Sequence, residues 1–445
     1  MAEKPESLLY GVADRPPLGM VIRIAIQHNF LQAASLAFPI ALMSQIGDGQ
    51  SAVLHLVALS MLAIGIGTIL QSLPRIGSGY VCPNLVGPNF FSVASQAAWV
   101  GGMPLVRGMT LVAALVEMLL APIWRHVKFL FPAEITGLVV FMVGASIVQL
   151  GSSQFLGISY SGDPIDPHAL FIGVVTFLVM AGLNVWGSKT LKTWAVLLGL
   201  LVGYGLSAGF GILSVTDLRT LHASPWLAQP FDSSFLHISF DWSLVLPFAI
   251  LSICGSLKTT GNIITSQRIN DDDWKEPDMK NVSKGIFADS LSVLSAGLLG
   301  GLPTDTSASN VGLTQATGVS SRVVGIAAGL LFMLYAFSPK IAMLLALMPM
   351  PVMGAILAFT ACFMMMSGLQ ILLSTGLDQR MILVIGTALF FGLSLDILPE
   401  LYLSVPAMLK PIFQSPLTLS TLIAVILNQL LRPRPEGGWR LPFAR

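Results

Sequence analysis

Residues 300–318 read GGLPTDTSASNVGLTQATG, and residues 81–96 read VCPNLVGPNFFSVASQ. Each is a proline-led stretch suited to extended chain that runs into a helix start. Both are embedded in apolar sequence, yet each is too short and too polar to cross a bilayer unaided, because a spanning helix needs about 20 apolar residues. Extended backbone at membrane depth is tolerated only where protein encloses it or it lines a cavity. The two stretches therefore read as half-helices meeting inside a polytopic membrane protein.

The rest of the chain has the composition this reading demands. Of 445 residues, 54% are hydrophobic and 10% charged, and the mean hydropathy is +0.79. A soluble chain carries about a quarter charged residues, so this one cannot cover its surface with water-facing groups. Lys and Arg total 23 against 22 Asp and Glu, which leaves no basic face for nucleic acid. High hydropathy with low charge also excludes intrinsic disorder. Cys82, Cys254 and Cys362 lie far apart in apolar surroundings, and neither a disulfide framework nor a zinc site follows from them. The opening residues carry Glu3, Lys4, Glu6, Asp14 and Arg15 without a short apolar core and cleavage site, so the first apolar stretch is expected to be a span rather than a leader.

Proline, glycine and charge clusters divide the sequence into fourteen membrane segments, at 18–43, 51–73, 83–99, 106–124, 129–150, 168–187, 191–214, 242–265, 284–301, 304–316, 320–345, 350–374, 380–398 and 415–431. With the N-terminus inside, eighteen Lys and Arg collect on the cytoplasmic side. Only Arg107, Arg219, Lys340 and Lys410 fall outside, and Lys258 lies within a span. This bias predicts cytoplasmic termini and an even number of spans.

The chain also repeats itself. Pro132 and Gly137 open segment five as Pro349 and Gly354 open segment twelve, and Pro83 opens the first broken segment as Pro303 opens the second. The two offsets are nearly equal, and each pair is seven segments apart. An odd number makes the two halves enter the membrane from opposite sides, which is the inverted repeat of secondary transporters.

No motor or enzyme motif accompanies this plan. Gly182 to Thr190 (GLNVWGSKT) is the nearest approach to a phosphate-binding loop, but Ser188 separates the second glycine from Lys189 and the stretch joins two apolar spans. There is no HExxH, no defensible Ser/His/Asp setting and no dinucleotide fingerprint. No catalytic residue, cofactor or metal site is expected, and any driving force has to be a gradient.

Four stretches carry candidate site residues. In segment one His28, Gln32 and Ser35 share a helix face, with Gln27 beside them. An ionisable residue inside a span is a site candidate, against the plainer reading that His28 meets water near the cytoplasmic end. Segment eight carries a second small polar stripe of Ser252, Gly255, Ser256 and Thr259, for which helix packing is the competing reading. Ser252 follows His28 by close to the repeat offset, so the two stripes are expected to face each other. In the broken segments Asn89 and Phe90 offer an amide and a stacking face, and Ser307, Ala308, Ser309 and Asn310 open the second half-helix. Unpaired N–H groups and partial positive charge at such helix starts suit a carbonyl-rich or anionic ligand. Asp305 reads first as the cap of that half-helix. Lys258 reads as snorkelling or pairing with Asp289, and Glu117, alone in segment four, as packing against a neighbour. Asp271 to Asp273 form a solvated loop, and the sequon at Asn281 falls on the cytoplasmic side.

These residues resemble one family, the nucleobase–ascorbate transporters, also called the uracil/xanthine permeases. Gln27–His28 is similar to its first-helix signature, and Pro83, Gly87 and Phe90 to its third-segment motif. The longest match is GIFADSLSVLSAGLLGGLP (residues 285–303), then SNVGLTQATGVSSR (Ser309 to Arg322), Pro339–Lys340 and MPMPVMG. The resemblance covers most of the chain. It implies a seven-plus-seven inverted repeat split into core and gate, a homodimer, elevator-like movement, and a substrate held between segments three and ten beside one and eight. The chain departs from the family where a segment-eight glutamate is replaced by Ser252 and a segment-ten glutamate or glutamine by Ser309. Those family side chains grip the base, and the first is tied to cation coupling. The base and its coupling therefore stay open, with a carrier of a small organic or inorganic anion as the alternative.

The expectation is an all-α polytopic protein with a tail at 1–17, core halves at 18–124 and 242–345, gate halves at 125–214 and 346–431, and a tail at 432–445. Its function would be secondary transport of a nucleobase-like solute across a bacterial-type inner membrane. Phe90 would stack on the ring. Ser252, Ser256, Ser309 and Asn310 would bond its edge, and His28 would lie beneath. His28, or Asp305 in its stead, would couple transport to a proton if it is coupled; a sodium ion is the other candidate.

Overall fold

The computed structural model describes residues 5, 8–47, 49–127, 132–158, 164–230, 237–373, 376–402, 405, 412–413 and 415–431. The expected C-terminal tail, 432–445, lies outside the described residues, as do Lys4, Lys128 and Lys410. The first segment is broken into α1 (Leu18–Ala34) and α2 (Ala37–Ile46). Pro39 is the cause, since it has no N–H to return to the carbonyl of Ser35, which instead accepts from the Phe38 N–H at 3.1 Å. Then follow α3 (Gln50–Ser72), a strand β1 (Asn84–Val86), a single 3-10 turn at Pro88–Phe90, and α4 (Phe91–Val127). The run α4 is broken at Gly101 and Gly102, which leave helical geometry, Gly102 at φ 69°, a conformation that favours glycine; the break falls between the expected segments three and four.

Three helices complete the first half: α5 (Ala133–Phe155), α6 (Pro167–Trp186) and α7 (Lys189–Gly209). A short helix not anticipated from the sequence, α8 (Val215–Ala223), leads into the second half. That half runs α9 (Trp242–Ile269), α10 (Met279–Leu299), β2 (Thr304–Thr306) and α11 (Ala308–Thr317). It continues with α12 (Arg322–Ala336) and α13 (Pro339–Ala346), then α14 (Met350–Leu373), α15 (Gln379–Ile397) and α16 (Pro416–Leu430). The eleventh segment is bent by 85° between α12 and α13, where Pro339 starts the second piece. Among the described residues eight helices are long and apolar enough to span, or nine if that bent pair counts as one.

The inverted repeat is visible in the backbone. β1 and β2 pair antiparallel with Asn84 opposite Thr306, Leu85 opposite Asp305 and Val86 opposite Thr304. The ladder is closed by Gly87 N–H to Pro303 C=O at 2.8 Å and Ser307 N–H to Pro83 C=O at 2.9 Å. Each bond is the other's image under the repeat that relates Pro83 to Pro303. Among the described residues the elements are helical apart from this pair of short strands.

Two groups of helices pack within themselves. α1, α3, α9 and α10 touch the ladder, with α4 packed on α10 and α12 on α3, while α5 packs along α14. Gly137, Gly144 and Gly151 on α5 meet the face of α14 that carries Gly354, Ala361 and Gly368, both series recurring every second turn. A Cβ on Gly354 would stand 2.1 Å from the Phe155 nitrogen, and one on Gly368 2.2 Å from the Phe141 nitrogen. Small residues let the two backbones touch, and close packing holds helices together where lipid gives no hydrophobic drive.

Candidate functional site

The ladder is braced on every side by polar groups that apolar helices carry inward. Gln32 Nε2 donates to Asn84 C=O and Thr68 Oγ1, both at 2.8 Å. Ser35 Oγ accepts from the Val86 N–H at 3.0 Å and donates to the Gln32 carbonyl at 2.7 Å. These two predicted site residues hold β1 in place, so the structure commits their donors to the frame. From α9, Thr259 Oγ1 donates to Asp289 Oδ2 at 2.5 Å and lies 2.8 Å from Thr306 Oγ1, while Asn262 Nδ2 donates to Thr306 Oγ1 at 2.9 Å. Asp289 also accepts from Asn84 Nδ2 at 2.7 Å. Both strands are thereby tied to α10 through one buried carboxylate.

His28 and Asn310 meet across the fold. His28 Nδ1 lies 2.7 Å from Asn310 Oδ1, and Asn310 Nδ2 donates to Ser307 Oγ at 2.9 Å. With the amide oxygen turned to the ring, Nδ1 is the donor, so a neutral imidazole presents Nε2 as an acceptor. Nε2 is buried and has no hydrogen-bond partner among the described residues. Ser307 is the cap of α11, accepting from the Asn310 N–H at 3.3 Å. The expectation that Asp305 would cap this helix is corrected: Asp305 belongs to β2, and its carboxylate accepts from Lys258 Nζ at 2.7 Å. Lys258 therefore neither snorkels nor pairs with Asp289. It lies about 16 Å along α9 from Ile269, too deep for its side chain to reach the helix end.

Asp305, Asn89 and Phe90 gather about Gly87. A Cβ on Gly87 would stand 3.0 Å from Phe90 Cδ2, 3.1 Å from Asn89 Oδ1 and 3.3 Å from Asp305 Oδ2. Both oxygens are buried without a hydrogen-bond partner among the described residues. Asn89 anchors its other end by donating Nδ2 to the Leu251 carbonyl at 3.4 Å. Phe90 rests against Phe248, with ring centroids 6.4 Å apart. Gly255 of α9 faces Asn89 and Phe90, a Cβ there standing 3.5 Å from Asn89 Nδ2 and 3.8 Å from Phe90 Cε2.

The remaining predicted residues are placed elsewhere. Ser252 Oγ is within bonding distance of the Ala113 carbonyl at 3.0 Å and the Phe248 carbonyl at 2.9 Å, toward α4. Ser256 Oγ donates to Glu117 Oε1 at 3.1 Å, which supplies the neighbour that Glu117 was expected to pack against. Ala308 and Ser309 are exposed on α11, whereas Asn310 is buried. Sequence reasoning named Gly87 only within the third-segment motif and did not place Lys258 beside Asp305. The lysine's mid-span position was the available signal.

A model of the permease family of xanthine and uracil carriers matches residues 20–401. The xanthine permease XanQ of Escherichia coli is 27% identical over 451 residues, covering 97% of this chain and 95% of that one. The nucleobase transporter PlUacP of Paenibacillus larvae is 26% identical over 417 residues, covering 92% and 94%. Among solved structures, the transmembrane domain of the cyanobacterium bicarbonate transporter BicA superposes with a TM-score of 0.52 at 16% identity, covering 91% of this chain and 96% of that one. That last likeness is one of fold.

Proposed function

The chain belongs to the nucleobase–ascorbate transporter family, and from that premise we propose that it carries a purine or pyrimidine base across a bacterial-type inner membrane as a secondary transporter. The observation that carries this reading is the pair of unpartnered acceptors, Asp305 Oδ2 and Asn89 Oδ1, beside the edge of Phe90. Buried acceptors without donors are costly, and a flat solute bearing ring N–H groups satisfies them while its face meets the phenylalanine. The same groups disfavour the alternative of a small anion, which needs donors. The charge of Lys258, the ammonium at this site among the described residues, is already balanced by a carboxylate.

Movement would be elevator-like. Core segments at 18–124 and 242–345 would slide as one body, braced by the buried network around β1 and β2. Gate segments at 125–214 and 346–431 would stay together through the α5–α14 seam. The termini would be cytoplasmic, a reading that Arg15, Arg75, Arg268, Lys280, Lys284 and Arg322 support through the positive-inside bias. A homodimer and coupling to a proton belong to the same proposal. A thermal-shift screen of purified protein against purines, pyrimidines, ascorbate, sulfate and dicarboxylates tests it. A ligand that binds only the folded state raises the melting temperature, so a base should do so, and stabilisation by an anion alone would sink the reading.

A further inference from the structure

Both half-helices end on a glycine with positive φ, Gly102 at 69° and Gly318 at 68°, and the two are close to the repeat offset apart. The elbow after Gly318 is held by the chain that precedes α1. Tyr10 N–H donates to the Gly318 carbonyl at 3.1 Å, and the Tyr10 carbonyl accepts from the Ser320 N–H at 2.8 Å. Tyr10 is thereby set beside Val319 in a parallel bridge. The Val12 carbonyl accepts from the Arg322 N–H at 3.2 Å and from its Nε at 3.1 Å, and Ser321 Oγ donates to the Asp14 carbonyl at 2.5 Å. Tyr10 also packs on an apolar cluster of Val21 and Ile24 from α1 with Val319 and Val324. Pro16 and Pro17 follow, and having no N–H they cannot extend the pairing, so α1 begins there.

The elbow after Gly102 is held from the other half. Ser239, two residues before the cap of α9 at Asp241, donates its N–H to the Pro104 carbonyl at 3.0 Å. The approach is closest at Gly108, where a Cβ would stand 1.8 Å from the Ser239 oxygen. The chain leading into the first helix of each half therefore crosses to the elbow of the opposite half. Together with the ladder, this grips each half-helix at both ends by the opposite half. The grip before α1 matters more. α4 continues beyond its elbow as a long helix, whereas α11 is only 10 residues long and has an open face, with no described atom within 4 Å of a Cβ on Gly312. So short a helix does not hold its own position.

We propose that residues 8–14 are a clasp that positions α11, and with it Asn310, from the end opposite the ladder, and that the clasp stays closed while the core moves. Its partners on α1, α11 and α12 all belong to the core, so sliding against the gate does not strain it. It also walls the mouth of the site. Leu8 and Leu9 line a cavity of about 770 Å³ with Thr265, Arg268 and Gln315 at the ends of α9 and α11, and a solute taking that route passes beside the clasp. This inference holds whichever solute is carried.

Hydrogen exchange of the purified full-length protein and of a chain lacking residues 2–12 tests the positioning. Amides of α11 should exchange about ten-fold faster without the clasp, the equivalent of one or two backbone hydrogen bonds, while those of α14 keep their rates. Unchanged exchange in α11 overturns the proposal, and so does an equal acceleration in α14, which would mark a general loss of stability. A crosslink tests whether the clasp stays closed. Cys82 and Cys254 are buried and Cys362 is exposed, so Tyr10→Cys/Val319→Cys is made with Cys362→Ser. Paired strands lie about 4.8 Å apart, within disulfide reach. A bond compatible with both end states shifts neither, so oxidation should leave uptake of xanthine and uracil within about two-fold of the reduced protein. Loss of uptake on oxidation would show that the strap has to open, and would overturn the proposal. If the parent takes up neither probe, the nucleobase reading fails and the exchange contrast still decides the clasp. Should the shortened chain fail to fold, oxidation of the cysteine pair replaces it. Exchange in α11 should then slow at least about three-fold, because local opening is suppressed, and no slowing overturns the inference.

Discussion

Leu85 and Asp305 lie directly opposite each other in the two-stranded ladder. Their separation along the chain equals that of Pro83 and Pro303, the offset of the repeat itself, so the pseudo-twofold axis of the fold passes through this one pair. Its two members are chemically unlike. One half contributes a leucine and the other a buried carboxylate tied to Lys258. The inverted repeat therefore supplies a symmetric frame, and the site is made by breaking that symmetry at its centre.

Gly87→Ala tests whether the groups gathered closely about Gly87 meet the solute. Its backbone conformation accepts alanine, and the added Cβ would stand 3.0–3.3 Å from Phe90, Asn89 and Asp305. Stability should fall by about 1–3 kcal/mol, the usual cost of overpacking a close-packed interior. Uptake affinity should fall about ten-fold or more. An unchanged KM with normal expression would place the solute elsewhere.

Asn310 and His28 should show energetic coupling. Asn310→Ala leaves His28 Nδ1 without its acceptor in a buried position, and a buried hydrogen bond of this kind contributes about 1 kcal/mol. Each single variant should reduce uptake strongly while leaving expression intact. The double variant should lose less stability than the sum of the singles by about 1 kcal/mol. Additive losses in the melting data would show that the pair does not act together.

Much of this architecture was readable from the residues, and the exceptions have physical causes. Prolines and low apolarity marked both half-helices, and the common offset exposed the repeat. The pairing of β1 with β2 was not readable, because each strand is very short and its partner comes from the other half of the chain. The stretch Thr304 to Ser307 offers several capping side chains in succession. Strand pairing draws Asp305 and Thr306 into the ladder, which leaves Ser307 as the cap. Glu117 stood out as an ionisable residue in segment four, but its partner was not legible, since Ser256 lies on a helix of the other half. Ser252 lies on the buried face of α9, and α4 offers its hydroxyl a carbonyl, that of Ala113.

The α5–α14 seam predicts which glycines tolerate substitution. Gly354→Ala forces a Cβ to within 2.1 Å of the Phe155 nitrogen and 2.4 Å of its Cα, and backbone cannot yield as a side-chain tip does. A loss of about 1–3 kcal/mol is expected from overpacking. Gly205→Ala on α7 meets no described atom within 4 Å and should be neutral or stabilising, since alanine is favoured by about 1 kcal/mol in a helix interior. Thermal melts of the two variants in one detergent check the contrast. Equal melting temperatures would mean that the seam is not the rigid element of the gate.

The last prediction concerns coupling. A symporter needs a group that gains and loses charge as the driving ion comes and goes. Asp305 is held by Lys258, a cation built into the chain. Asp289 is met by two donors, Asn84 and Thr259. Glu117 is 2% exposed and accepts a hydrogen bond from Ser256, with no ion pair to it among the described residues. A desolvated carboxylate with so little compensation is an expensive arrangement, and a transported proton is the partner that would relieve it. Glu117→Gln keeps an oxygen for Ser256 and removes the titratable group. In proteoliposomes it should abolish accumulation driven by an imposed pH gradient while leaving counterflow exchange of the same base within about two-fold of the parent. His28→Ala, by contrast, should impair both, because its partner Asn310 opens the half-helix that the solute meets. If Glu117→Gln still accumulates substrate steeply under the gradient, the proton does not travel by this carboxylate, and His28 remains the coupling candidate.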